Sequence, residues 1–303
     1  MFSRRYLRIK VMHALYAYKQ ESCEDLEQTQ QYLDQSLHST YNLYVYLNKV
    51  VKDVLEYSTT DMELSNNKYI KSEEDILSTN AWMSFDYIKG LESFDFTKYF
   101  RKQKIKIEED DQLYKRVYQA FKKDPEYQSI VKDGFQDKKQ QVYALQYLLA
   151  DVIMNHEEFD QFMEEYWLNW QDEKEYALNA VLKTIKACKT AEKSPIFSQN
   201  YRGREEDVDF VTNVLRSAIF DKENVLDMIA QRAKNWDIER ITLLDNVILL
   251  LAITEMKTTD VPLRVSLDEY IEISKIYSTP KSKDFINGVL DKVMKDLQKE
   301  NAK

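Results

Sequence analysis

Residues 241–256 read ITLLDNVILLLAITEM. From Val247 to Ile253 every residue is apolar, so a helix here has no polar face to give to water. Such a helix belongs at the centre of a bundle, with other helices around it. The connection that follows, KTTDVPL (residues 257–263), is tight, and Ser266 and Glu269 then stand three apart as a capping box that predicts a helix over 267–277. Pro280 ends that region, and Ser282 is placed to cap a last helix over 283–299. Upstream, helical spacing extends the same pattern to 205–218 and 222–234, with the central helix running over 239–257.

Composition agrees with this reading. The 303 residues include four Gly and four Pro, too few for the turns of a β-rich or α/β chain of this length. In residues 24–57 the positions Leu33, Leu37, Thr40, Tyr44, Leu47, Val51 and Val54 alternate four and three apart, which predicts one long amphipathic helix. Further helices are expected near 110–123, 138–155, 157–170 and 173–192, with breaks at 58–61, 65–67, 124–125 and 133–134. The segment KSPIFSQNYRGR (193–204) collects Pro, Gly, Ser and Asn and reads as the main linker. The fold class is all-α.

Several function classes are excluded. Gly90, Gly134, Gly203 and Gly288 cannot be arranged into a glycine-rich phosphate loop. Cys23 and Cys188 form no C-x-x-C pair and fit a reducing compartment. His13, His38 and His156 are scattered, outside any metal or di-iron spacing. No metal, cofactor or catalytic residue is expected. Carboxylate runs such as 108–111 read as solvated faces, and Phe159, Phe162, Tyr166, Trp167 and Trp170 are at core spacing. SRRYL superficially matches a twin-arginine signal, yet no sustained apolar region or cleavage site follows. The chain is expected to be cytoplasmic, with no membrane span.

Charge is uneven. Residues 1–20 carry five Lys or Arg and no Asp or Glu, residues 21–200 carry 22 basic against 33 acidic, and residues 201–303 carry 16 against 19. A polyanion would therefore be captured locally and not by the general surface. In the first helix Leu7, Val11, Ala14, Leu15 and Tyr18 make a core stripe, while Arg4, Arg5 and Arg8 crowd one patch. Cations in a first turn oppose the macrodipole by ~0.3–1 kcal/mol each, and no nearby acid in the sequence relieves this. An external phosphate would, as would carboxylates from elsewhere in the chain.

A second candidate lies in YSTPKSKDFINGVLDK (277–292). Lys281, Ser282 and Lys283 surround a helix start whose N–H groups can hold a phosphate. Phe285 could fill the core or stack on an unpaired base. Gly288 lies inside the helix, where it costs ~1 kcal/mol relative to Ala, and close approach of another backbone is the usual compensation.

Two blocks together resemble the NusB family of transcription antitermination factors. SRRYLRIKVMHALYAY (3–18) is similar to the family's first helix. Residues 236–293 are similar to its carboxy-terminal half, most specifically in F-I-N-G-V-L-D (285–291), in the D-V-P-x-x-V-x-x-D-E-x-I-E-I-S-K pattern (260–275) and, in the first block, in A-L-Y (14–16). The resemblance implies NusB-like helical bundles made of residues 1–20 and 204–303, interrupted by a helical insertion at 21–203. It implies a non-enzymatic antitermination factor that binds boxA RNA of ribosomal RNA transcripts together with NusE, a small-subunit ribosomal protein, in the RNA polymerase elongation complex. Arg4, Arg5, Arg8, Lys281, Ser282, Lys283 and Phe285 fall on the RNA-facing elements, and Tyr16 and Glu255 on the NusE-facing side. Tyr6 and Lys281 depart from the family pattern, where an Arg and an acidic residue occur. The alternative is a scaffold without RNA binding that works through the acidic insertion.

Overall fold

A computed structural model describes residues 2–20, 25–107, 110–135, 137–188, 190, 205–233 and 241–301. These residues hold helices and no strand. In chain order the helices are α1 (Arg4–Gln20), α2 (Leu26–Asn66), α3 (Glu73–Ile76), α4 (Asp86–Glu92), α5 (Phe96–Lys102), α6 (Asp111–Lys123), α7 (Pro125–Asp133), α8 (Lys138–Tyr147), α9 (Glu157–Tyr166), α10 (Trp170–Ala187), α11 (Glu205–Phe220), α12 (Lys222–Arg232), α13 (Leu243–Thr258), α14 (Leu263–Tyr277) and α15 (Pro280–Asn301). None of the described helices is long and apolar enough to cross a membrane. The chain divides into two compact units, Met1–His38 with Arg202–Lys303, and Ser39–Tyr201. The linker expected at 193–204 lies outside the described residues.

In the first unit α13 is the hub. It contacts α1, α11, α12, α14 and α15, and Val247 to Ile253 are all fully buried, as an all-round apolar helix requires. From α1, Leu7, Val11, Ala14 and Leu15 are buried, and the helix packs on α11, α13 and α14. Phe285, Ile286, Val289, Leu290 and Val293 form the buried face of α15.

Three local expectations are corrected here. α14 begins at Leu263, with Pro262 at its cap, so Ser266 is inside the helix and the S-x-x-E pair is no capping box. Both side chains face partners from other helices. α15 begins at Pro280, and Thr279 is its cap: its hydroxyl accepts the Ser282 N–H at 3.2 Å. Ser282 therefore lies in the first turn. A Cβ placed on Gly288 would meet nothing within 4 Å, so no backbone approaches it closely.

The second unit is built on the remainder of α2. Its stripe positions Thr40, Tyr44, Leu47, Val51 and Val54 are buried, as are Leu33 and Leu37 in the part of α2 that belongs to the first unit. The helix runs through the break expected at 58–61, because Ser58 is fully buried and Asp61 accepts from the Lys122 ammonium of α6 at 2.7 Å. Trp82, in a 3-10 turn at Ala81–Ser84, centres an aromatic cluster with Phe85, Phe121, Tyr127 and Phe135, its ring centroid 4.6–5.8 Å from theirs. Of the five aromatics at core spacing, Phe159, Trp167 and Trp170 are buried, and Phe162 and Tyr166 are half-buried. α7 ends at Gly134, whose φ of 73° is the conformation glycine adopts most cheaply. α5 ends differently. Lys104 has φ 57°, the Lys104 N–H reaches the Arg101 carbonyl at 3.2 Å, and the Ile105 N–H reaches the Phe100 carbonyl at 3.1 Å. This is a Schellman motif with lysine where glycine is usual, at a cost of about 1–2 kcal/mol.

Candidate nucleic-acid interface

The three arginines of α1 project from its first two turns, and each meets a carboxylate remote in sequence. Arg4 Nε lies 3.5 Å from Asp207 Oδ1 of α11. Arg5 makes a bidentate pair with Glu269 of α14, Nε to Oε2 at 2.7 Å and Nη2 to Oε1 at 2.9 Å. Arg8 makes another with Glu255 of α13, Nη2 to Oε1 at 2.6 Å and Nε to Oε2 at 2.8 Å. The macrodipole penalty on this cluster is thus relieved from within the molecule.

The pairs differ in exposure, and that difference separates their roles. Arg8 is 3 % exposed and Glu255 0 %. Glu255 also accepts from the Ser266 hydroxyl at 2.7 Å and the Tyr270 hydroxyl at 3.1 Å, so both of its oxygens are satisfied. Burial works to lower the Arg8 pKa, yet the hydrogen bond and charge of Glu255 hold it above its usual value. The Tyr270 hydroxyl is pushed well up by burial and then by Glu255. The Arg8 guanidinium carbon lies 5.3 Å from the centre of the Phe210 ring and 5.9 Å from that of Tyr270. Arg8 and Glu255, expected to face RNA and a partner, are therefore interior groups that fix α1 on α13 and α14. Glu255 is sealed from solvent, and Arg8 keeps only 3 % exposure where it borders an open groove.

Arg4 and Arg5 are each 40 % exposed. With Phe210 beneath Arg4 at 5.1 Å, and with the turn from Thr258 to Pro262, they line an open groove of about 870 Å³. A guanidinium has five N–H donors, and the Glu269 pair uses two of those on Arg5. Glu206 and Asp209 also line the groove, which is mixed in charge and not simply basic.

The second candidate element adjoins the first. His13 of α1 packs edge-on against Tyr277 at the end of α14, with centroids 5.4 Å apart, two residues before the cap of α15. Glu272 of α14 has its carboxyl held below the usual range by its hydrogen bond to Lys275, with Arg5 and Lys283 acting on it through space. Arg5 and Lys283 thus share one acidic neighbour. Lys281 is exposed, Lys283 is 41 % exposed and 3.9 Å from Asp284, and the Ser282 hydroxyl is 2.9 Å from that of Thr279. Phe285 is 4 % exposed and belongs to the core, the first of the two uses its spacing allowed. Tyr16 is half-buried, its hydroxyl accepting from Gln20 at 2.9 Å, and Tyr6 is buried. No group of His, Cys, Asp and Glu among the described residues could hold a metal ion.

The Arg5 pair holds the Glu269 carboxyl below its ordinary value of 4.5, the guanidinium hydrogen bond outweighing burial. A depressed folded pKa stabilises above the unfolded value, and the contribution is lost as pH falls through the folded one. We expect the melting temperature of wild type to exceed that of Glu269→Gln at pH 6, and the two curves to converge as pH falls below 4.5. Parallel curves across that range would contradict the pairing.

Comparison with known proteins finds relatives for the carboxy-terminal part of the chain. The model of the NusB family matches residues 173–295, from within α10 to α15 and without α1. A transcription antitermination protein NusB of Salinibacter ruber is 43 % identical over 90 residues, covering 29 % of this chain and 56 % of that protein. One from Chloroherpeton thalassium is 38 % identical over 95 residues, covering 31 % and 45 %. One from Clostridium botulinum strain Loch Maree is 36 % identical over 118 residues, covering 39 % and 84 %. The chain thus spans about half the length of the first two relatives and most of the third. No solved structure gives a significant match.

Proposed function

Since this chain belongs to the NusB family, we propose that it is a non-catalytic transcription antitermination factor of the cytoplasm that binds boxA-type single-stranded RNA, acts with NusE and joins the RNA polymerase elongation complex. The observation that carries this reading is the pair of half-exposed guanidiniums, Arg4 and Arg5, on the open groove of the first unit. Arg4, Arg5, Lys281 and Lys283 contact phosphates, which sets position and affinity, and base identity is read where the strand crosses the groove. Arg8 and Glu255 hold α1 in register for this. Ser282 donates from the first turn of α15, Phe285 supports that turn from the core, and Tyr16 faces NusE.

One observation favours the scaffold alternative. Each arginine already has a carboxylate, so the cluster attracts a polyanion less than three unpaired cations would. Transcription decides between them. Added with NusE to polymerase on a template with boxA ahead of a terminator, the protein should raise read-through, and should not do so when boxA is scrambled. Equal read-through on both templates would sink the antitermination reading.

A further inference from the structure

The unit Ser39–Tyr201 is acidic overall, yet it contains an open groove of about 470 Å³ lined by Lys49, Arg101, Lys104 and Lys106 with Phe100, Ile105 and Ile107. Among the described residues no Asp or Glu lines it. Lys49 is bonded to Asp53. Arg101, Lys104 and Lys106 are exposed, and no carboxylate among the described residues pairs with any of them. Asp110 is engaged elsewhere: its carboxylate caps α6 by accepting the Leu113 N–H at 3.0 Å and lies 3.6 Å from Arg116.

The exit from α5 explains the arrangement. The Schellman motif turns the chain so that Ile105 returns to Phe100, and burial then alternates: Lys104 exposed, Ile105 half-buried, Lys106 exposed, Ile107 half-buried. The isoleucines anchor the segment and leave both lysines facing solvent beside Arg101. The dipole of α5 favours cations at its end, yet it does not require a side chain at the left-handed position. Lysine stands there in place of the cheaper glycine.

The geometry points to a second RNA contact in this unit, in which Arg101, Lys104 and Lys106 hold successive phosphates of a single strand over the apolar floor of the groove. Such a contact is largely indifferent to sequence, because it reads backbone charge and a flat apolar face. The choice of RNA among polyanions rests on the function proposed above; the groove itself is independent of the α1 arginines.

The test uses the full chain and a fluorescein-labelled uridine strand lacking boxA, with anisotropy read across a salt series. R101A/K104A/K106A should weaken binding at least tenfold and lower the log–log salt slope by about 2, at roughly 0.7 per phosphate contact. K98A/K132A/K139A removes the same charge from exposed positions outside the groove and should leave the slope nearly unchanged. Lys104→Gly should raise the melting temperature while lowering the slope, which a merely structural lysine would not do. Equal effects of the two triple variants would overturn the site in favour of a general field. Displacement by polyglutamate as effective as by unlabelled RNA would overturn RNA as its ligand. A boxA strand run in parallel separates the two proposals. Loss of boxA binding in R4A/R5A, with the groove variant unaffected on both strands, would remove the groove and leave the α1 site standing.

Discussion

Arg8→Ala is expected to lower unfolding stability by about 3–5 kcal/mol, measured by urea titration with far-UV circular dichroism. Removing the guanidinium leaves the Glu255 side chain at 0 % exposure without its cationic partner, with only the Ser266 and Tyr270 hydroxyls to compensate. A void opens as well, against Phe210 and Tyr270. Arg8→Met combined with Glu255→Gln should recover most of the loss, since the amide oxygen can accept from one hydroxyl while its NH2 donates to the other, and no buried charge remains. Arg5→Ala, at a 40 % exposed site, should cost under about 1 kcal/mol. If Arg8→Ala and Arg5→Ala proved equally mild, Arg8 would not be the interior anchor of α1.

The second large effect is on binding. R4A/R5A should weaken boxA RNA at least tenfold, about 1.4 kcal/mol, and lower the salt slope by about 1.4, for two single-strand phosphate contacts at roughly 0.7 each. Arg8→Lys, which keeps the charge but gives up the bidentate geometry, should instead act mainly through stability. The two kinds of variant thus separate contact from support. An unchanged slope in R4A/R5A, in protein whose melting curve is intact, would show that these arginines touch no phosphate.

Much of this architecture is legible in the residues alone. The all-round apolar run in α13, the stripe of α2 and the apolar face of α15 each have a single reading, because apolar burial dominates and the 3.6-residue period reports it directly. Breaks and caps were less legible. The sequence 58–61 has turn-forming residues, but Lys122, 61 positions away, holds Asp61 in the helix. Ser266 and Glu269 have capping-box spacing, but Glu255 and Arg5 claim their side chains. In both cases a tertiary partner outweighs a local preference of about 1 kcal/mol.

At the candidate site the arginines stand out by charge, whereas their partners Asp207, Glu255 and Glu269 do not, being carboxylates in an acidic chain. A signal for Arg8 was present all the same. It falls three residues before Val11 and seven before Leu15, on the core stripe, and Glu255 falls four after Leu251 within the apolar helix. Two opposite charges on two apolar faces mark a buried pair. Phe210, which lies under Arg4 and Arg8, carries no comparable signal, because its spacing is that of any core residue. The groove of the second unit was masked by the negative total of residues 21–200, which hides the local cluster of Arg101, Lys104 and Lys106.

The most direct test of the central claim is equilibrium binding of the full chain to a boxA strand and to its scrambled counterpart, with and without NusE, at two salt concentrations. The account predicts binding that weakens steeply with salt, prefers boxA and strengthens with NusE. Binding that ignores salt, or that treats the two strands alike in the presence of NusE, would contradict it.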